Sequence, residues 1–142
     1  MINIYHYGIL FFNLLPIYPL DGGKLTQLIL SLFMPYKKSL HTTILISYIV
    51  ILIYLIVNIT SIKINGIIIS IFLIHKVYIE QNNICFIYEK FLLERYLNNY
   101  KFKQSKIIVD EKSFYKNKRH LIRKENKYLL EKEYLTQKYN FF

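Results

Sequence analysis

The chain has 142 residues, 54% of them hydrophobic, and carries 19 Lys and Arg against nine Asp and Glu. This length allows one small domain, and a single cysteine, Cys85, excludes an internal disulfide or a thiolate zinc site. The charge is uneven, because residues 1–74 have a net charge of +3 and residues 75–142 a net charge of +7. The composition therefore predicts a two-part chain with an apolar half and a basic tail.

Residues 1–36 contain only one acid, Asp21, one lysine, Lys24, and one histidine, His6. They are therefore predicted to lie in a membrane. They do not resemble a secretory signal peptide, because a basic n-region and a small-residue cleavage site are missing.

The middle of this segment cannot continue as a straight helix. Pro16 and Pro19 each remove a backbone donor, and the Gly22-Gly23 pair frees the backbone. We expect residues 18–23 to be broken or unwound. Broken backbone at membrane depth is tolerated only where protein or a watery cavity satisfies its polar groups.

Asp21 follows this break and has two interpretations. An ionisable side chain in a membrane segment is costly and marks a functional site by default. Alternatively, its carboxylate caps a helix that begins near Gly22 and runs to Phe33. The position alone supports both interpretations equally.

The next segment is predicted to be a transmembrane helix. Lys38 and Lys63 enclose 24 residues without a charge, which as a helix would be about 36 Å long and could cross a hydrocarbon core of about 30 Å. A soluble β-rich segment is the alternative, since Ile, Val and Tyr favour strands. A soluble strand would need polar residues sooner.

A second apolar run, residues 64–79, is weaker because it contains Lys76 among other polar residues. We expect it to return across the membrane, with Lys76 reaching toward the headgroups and residues 63–66 forming the turn. The hairpin, residues 39–79, places the Lys37-Lys38 pair on the same side as the basic tail. The positive-inside rule assigns that side to the cytoplasm.

The tail, residues 80–142, is predicted to be mostly helical. A short strand at 106–110 and an amphipathic helix at 126–138 are expected after a first helix at 84–100. That first helix would lie on the membrane or against the tail's own core, with a partner-binding groove as the alternative, and its apolar residues are Phe86, Ile87, Phe91, Leu92 and Leu97.

Residues 112–127 are rich in Lys and Arg, with Phe114 and Tyr115 nearby. Basic residues mixed with aromatic ones can bind nucleic acid. Basic segments beside a membrane helix more often hold anionic lipid or fix the topology. We therefore expect membrane lipid, rather than nucleic acid, to be the partner of this stretch.

The motif that carries chemistry lies in residues 13–22, which read Asn13-Leu-Leu-Pro16-Ile-Tyr-Pro19-Leu-Asp21-Gly22. It resembles the N-x-x-P-x-x-x-x-D-G signature of the site-2 protease family of intramembrane zinc metalloproteases. The wider string FNLLPIYPLDGGK looks closest to the sporulation branch of that family, and a looser resemblance extends through KFLLERYL in the tail. A hairpin of two further transmembrane helices and a cytosolic tail also fits the order of elements in this family.

The resemblance implies a role for each motif residue. Asp21 resembles the aspartate that joins two histidines of another helix to hold a catalytic zinc with a water in the open position. Asn13 would hydrogen-bond the substrate backbone or the oxyanion, and the substrate would be a peptide or a membrane protein. Pro16 and Pro19 would keep the backbone that leads to Asp21 extended. Gly22 and Gly23 would let a neighbouring helix come close.

The family's H-E-x-x-H helix has no counterpart here. The four histidines are His6, His41, His75 and His120, and no two are four residues apart. His6 precedes Asn13 by two helical turns and could approach the site, but a lone histidine there is more often an interfacial residue. The sequence thus resembles the C-terminal part of such a protease, inactive without a missing N-terminal half. A non-catalytic membrane interaction protein or protease remnant is the alternative.

These features together predict an all-α, multi-pass membrane protein. The broken motif segment, residues 1–36, and the hairpin, residues 39–79, would form a transmembrane core over residues 1–79. Residues 80–142 would form the cytoplasmic tail. Its expected partners are lipid, a membrane-associated substrate, and a missing half or a regulatory membrane protein.

Overall fold

The computed structural model of the chain describes residues 2–61, 64–98, 100, 102, 104–124 and 127–140. The helices are α1 (Ile2–Leu14), α2 (Asp21–Phe33), α3 (Tyr36–Thr60), α4 (Ile64–Asn82), α5 (Ile84–Leu97) and α6 (Glu131–Tyr139). The strands are β1 (Ser105–Ile108), β2 (Arg119–Lys124) and β3 (Lys127–Leu130). The chain is mostly helical, as predicted, but the prediction of an all-α protein is wrong because the tail contains a sheet.

Two helices in the described part of the chain, α3 and α4, are long and apolar enough to cross a membrane. Large apolar side chains point outward from both, and Leu52 and Ile71 are each 60% exposed. A soluble protein rarely exposes a continuous apolar face of this kind, whereas lipid would solvate it. Both helices predicted for the hairpin are therefore present.

The turn between α3 and α4 differs from the predicted one at 63–66. Ile64, Asn65 and Gly66 already belong to the first turn of α4, and Lys63 lies outside the described residues.

α3 and α4 pack as an antiparallel pair whose register is fixed by side-chain contacts. Near the turn, a Cβ atom added to Gly66 would overlap the side chain of Asn58. Asn58 is 7% exposed, and its Nδ2 donates to the Tyr54 carbonyl at 2.7 Å. Farther along, the Tyr48 hydroxyl donates to Gln81 Oε1 at 3.0 Å.

α5 continues the helical path of α4 beyond the predicted membrane half. Asn83, the residue between them, has helical backbone angles of φ −83° and ψ −4°, and its carbonyl accepts from the Ile87 N–H at 2.9 Å. At the other end of α3, Tyr36 stacks on Phe91 of α5 with ring centroids 4.2 Å apart. α3 is thus paired along its length with the helical stretch 64–97.

The buried face of α5 differs in part from the predicted one. Phe91 and Leu92 are buried as expected, but Phe86 and Leu97 are 73% and 68% exposed. Arg95 is buried instead. The buried face of α5 packs toward the start of α3 and the tail sheet. The contacts described below explain why the charged Arg95 side chain is buried there.

The tail sheet has the strand order β1-β2-β3, with β1 parallel and β3 antiparallel to β2. The strand predicted at 106–110 corresponds to β1. The helix predicted at 126–138 is wrong in its first part, because residues 127–130 pair with β2 and α6 begins only at Glu131.

The tail core joins α5 to the sheet and α6 and docks against the start of α3. The Tyr36 N–H donates to the Phe114 carbonyl at 2.8 Å, and Phe114 is fully buried. This contact ties the tail to the membrane helices. The buried apolar residues of the core are Tyr88, Phe91, Leu92, Ile108, Phe114, Ile122 and Leu135.

The Gly66 contact predicts that an alanine substitution at Gly66 affects stability much more than one at Gly8. Gly66→Ala should lower the free energy of unfolding by about 1–3 kcal/mol, the usual effect of overpacking, because Asn58 is buried and hydrogen-bonded. Gly8→Ala is the matched control, since no atom lies within 4 Å of its added Cβ, and it should be neutral or slightly stabilising. Equal effects of the two changes on unfolding in detergent micelles would contradict this packing.

Candidate functional site

The motif segment runs from the end of α1, through an irregular stretch, into α2. The irregular residues are 15–20, so the break comes earlier than the predicted 18–23. Gly22 and Gly23 lie within the first turn of α2. The two prolines, Pro16 and Pro19, thus coincide with the break, while the glycines have a different role.

Ser47 of α3 anchors the irregular stretch. The Tyr18 N–H donates to Ser47 Oγ at 2.8 Å, and Ser47 Oγ donates to the Thr43 carbonyl at 2.8 Å. Ile17 is fully buried beside this anchor. Sequence analysis did not identify Ser47, although a buried hydroxyl within an apolar run was a signal that the backbone nearby needs a partner.

The anchor places the motif about midway along α3. Ser47 lies near the centre of Tyr36–Thr60. If α3 spans a bilayer, the irregular stretch is deep within it, and its free backbone groups are satisfied by protein rather than lipid.

Gly22 and Gly23 hold α2 against the irregular stretch. A Cβ atom at Gly22 would overlap the backbone carbonyl of Leu14, and one at Gly23 would lie 2.5 Å from the Ile17 backbone. The glycines therefore permit close approach of α2 to the last residue of α1 at Gly22 and to the irregular stretch at Gly23.

Asp21 is the first residue of α2, and the cap position is Leu20. The interpretation of Asp21 as the N-cap is therefore wrong. Its side chain is 82% exposed, and one carboxylate oxygen lies 3.5 Å from Lys24 Nζ. The motif thus leaves this carboxylate at the surface of the described chain, beside the positive end of the α2 dipole.

The other motif residue with a polar side chain, Asn13, is exposed in the last turn of α1. Within the described ranges its amide makes no hydrogen bond, so it is open to a ligand. His6, His41 and His75 are exposed on α1, α3 and α4, and His120 is buried in β2.

The residues present do not fit a complete zinc site. Among the residues that the structure describes, no three His, Cys, Asp or Glu side chains lie close enough to hold a metal ion together. A catalytic zinc needs three protein ligands, and Asp21 could supply only one.

A buried ion pair that sequence analysis missed lies in the tail. Arg95 Nε donates to Glu131 Oε1 at 2.5 Å, and Arg95 Nη2 donates to Glu131 Oε2 at 2.9 Å. His120 Nδ1 lies 3.1 Å from Glu131 Oε2, and the His120 N–H donates to the same oxygen at 2.8 Å. The signal was an arginine on the apolar face of α5.

The same groups fix the loop before β2. His120 Nε2 accepts from the Tyr115 N–H at 3.0 Å, so its Nδ1 carries the proton that Glu131 accepts. The Arg95 guanidinium also donates to three loop carbonyls at 2.8–3.2 Å, those of Tyr115, Lys116 and Lys118.

The balance of burial and hydrogen bonding sets the charge of Glu131. Burial would raise the pKa of its carboxyl, but hydrogen bonds from His120 and Arg95 and the guanidinium charge outweigh burial and lower the pKa to about 2. Arg95 and Glu131 therefore form an ionised pair, and together with His120 they join α5, β2 and α6.

The chain is similar to a known sporulation protein. It is 34% identical over 98 residues to stage IV sporulation protein FB of Bacillus subtilis (strain 168), a site-2 protease family member. The match covers 68% of this chain and 34% of that protein, so the chain spans about a third of the relative's length. No family model matches the chain. The similarity and the two apolar helices indicate a membrane protein that resembles a zinc-dependent protease family.

The Glu131 cluster predicts a pH dependence of tail stability. Because the pKa falls from 4.5 to about 2 on folding, the stabilisation is complete above pH 4.5 and is lost as the pH falls toward 2. Glu131→Gln should remove this dependence and cost about 3–5 kcal/mol, since Arg95 is left buried without its partner.

Hydrogen exchange of the β2 amides in the full chain would measure this effect. Glu133→Gln is the control because Glu133 is exposed in the same helix and a glutamine oxygen can still accept from the Leu130 N–H, as in a capping box. Its effect should stay within about 0.5 kcal/mol. Equal protection of β2 in both variants would contradict the assigned role of Glu131.

Proposed function

We propose that this chain is the motif-bearing part of a site-2-type intramembrane metalloprotease. Asp21 would supply one zinc ligand, and another segment would supply the others. The observation that carries the proposal is the geometry of the motif: the irregular stretch is anchored to the middle of α3 by Ser47, yet it leaves the Asp21 side chain 82% exposed. The similarity to stage IV sporulation protein FB supports the same assignment.

The arrangement gives this chain two tasks in such a protease. The prolines, the glycines and Ser47 hold the motif backbone in one position, which is the rigid support that a catalytic ligand needs. Asn13 lies on the same segment with a free amide and would bind the backbone of an extended peptide substrate. The substrate would be membrane-associated, because the motif lies level with the centre of α3.

The basic tail would lie on the cytoplasmic side, where it contacts anionic lipid. Lys37 and Lys38 are near the tail core, and Lys37 Nζ lies 5.4 Å from the centroid of the Tyr88 ring. The Lys37-Lys38 pair and the basic tail are therefore at the same end of the α3–α4 pair. The positive-inside rule assigns that end to the cytoplasm.

A non-catalytic membrane interaction protein is the second candidate. It is favoured by the incomplete ligand set, since no three His, Cys, Asp or Glu side chains of the described residues lie close enough to hold a metal ion. The two candidates differ in whether Asp21 binds zinc when the histidine-bearing part of a relative is supplied.

The test joins this chain to the complementary part of the Bacillus subtilis relative and measures zinc by mass spectrometry. The chain alone should contain no stoichiometric zinc, and the chimera should contain one zinc per molecule. Asp21→Asn should remove the zinc and the cleavage of a membrane substrate while the amount of inserted protein is unchanged, because it deletes the anionic ligand.

Asp110→Asn is the matched control, since Asp110 is the other aspartate of the sequence and lies in the tail. It should keep both zinc and cleavage. A chimera that keeps its zinc and its normal cleavage rate with Asp21→Asn would contradict the protease assignment of the motif.

A further inference from the structure

His120 of β2 is fully buried, and both nitrogens of its ring have fixed partners. Nε2 lies 3.0 Å from the Tyr115 backbone nitrogen, whose N–H can only donate, so Nε2 must accept. Nδ1 lies 3.1 Å from Glu131 Oε2, and an ionised carboxylate can only accept, so Nδ1 must donate. The ring is therefore neutral, and its surroundings leave no position for a second ring proton.

Charged and titratable groups surround this ring on several elements. The Glu131 carboxylate of α6 attracts a positively charged ring, whereas the Arg95 guanidinium of α5, which is paired with the same carboxylate, repels one. On the other side, the Tyr115 ring is stacked on His120 with centroids 6.3 Å apart. Two lysines lie farther out against the Tyr115 ring, and these are Lys106 and Lys118.

A second proton on the ring would conflict with the loop before β2. On Nε2 it would face the Tyr115 N–H, donor against donor. A flip of the ring does not relieve this conflict, because both nitrogens of a charged imidazole carry protons. The nearby loop carbonyls already accept from Arg95, and they belong to Tyr115, Lys116 and Lys118. The ring can therefore hold a second proton only when the loop moves away.

The same loop carries a contact that docks the tail on α3. Phe114 directly precedes Tyr115, and its carbonyl accepts from the Tyr36 N–H at 2.8 Å. Tyr36 is the first residue of α3, so its N–H has no acceptor within the helix. Movement of Tyr115 away from His120 therefore displaces the carbonyl that holds the start of α3.

We propose that His120 is an acid-sensitive switch that controls the docking of the tail on α3. Neutral His120 holds the loop by accepting the Tyr115 N–H and so keeps the Phe114 carbonyl on Tyr36. When Nε2 takes up one proton from water, the loop opens and that carbonyl leaves Tyr36. The inference does not depend on zinc or on the motif, because every group in it belongs to the tail or to the first turn of α3.

The direction of the pH effect follows from which state binds the proton. The closed loop occupies Nε2, whereas in the open loop the ring meets water, where histidine gains a proton as the pH falls through about 6.5. Opening therefore takes up one proton and becomes more favourable as the pH falls. This window lies above that of Glu131, whose contribution is lost only below pH 4.5.

Amide hydrogen exchange of the full chain in detergent micelles tests the switch at two residues. Protection factors, which correct for the intrinsic effect of pH on exchange, are measured for the Tyr115 and Tyr36 N–H groups at pH 7.5 and 5.5. Both should fall about ten-fold at the lower pH, as expected for uptake of one proton by an ordinary histidine. Unchanged protection of either amide would overturn the proposal.

Two variants assign the effect to one histidine. His120→Gln has no ring to titrate, so the protection factors of both amides should be the same at pH 7.5 and 5.5. His41→Gln is the matched control, because His41 is exposed on α3 near Tyr36, and it should keep the ten-fold change. A ten-fold change that persists in His120→Gln would contradict the switch.

Nitrogen chemical shifts of the His120 ring in the unmodified chain give a measurement that does not depend on how a variant folds. At pH 7.5 they should show a proton on Nδ1 and none on Nε2. As the pH is lowered, the ring should gain its second proton only in molecules whose Tyr115 and Tyr36 amides have lost protection. A proton on Nε2 at pH 7.5, or a doubly protonated ring with both amides still protected, would overturn the proposal.

Discussion

The close packing of α3 against the helical stretch 64–97 is the constraint on which the rest of the structure depends. It begins where Gly66 lets α4 approach the buried Asn58 side chain, a use of small residues that is common between membrane helices. It ends where Tyr36 stacks on Phe91. Because α3 also anchors the motif and docks the tail, its register sets the relative positions of the motif and the tail.

The motif combines a rigidly held backbone with an incomplete set of metal ligands. Ser47 satisfies the backbone that the prolines leave free, and Gly22 and Gly23 let α2 pack on that backbone. The result is a fixed and exposed carboxylate at Asp21. It lies at the start of α2, and among the described residues no three His, Cys, Asp or Glu side chains come close enough to hold a metal ion together.

Long apolar segments were predictable from the sequence, because uncharged length alone separates a membrane helix from a soluble strand. The positions of α2, α3 and α4 followed from this rule and from the prolines. Of the sheet only β1 was predicted, since β2 and β3 are stabilised by strand pairing, which depends on tertiary context more than on local sequence. The burial of Arg95 was not predictable from the sequence, because it depends on Glu131, 36 positions away.

We propose that α3 and α4 cross the membrane as a hairpin with the tail in the cytoplasm. Reporter fusions placed after residues 38, 63 and 100 test it most directly, because each reports the side of the membrane on which its junction lies. The account predicts cytoplasm after residue 38, the opposite side after residue 63 and cytoplasm again after residue 100. A fusion after residue 63 that reports the cytoplasmic side would contradict the hairpin, and with it the membrane depth proposed for the motif.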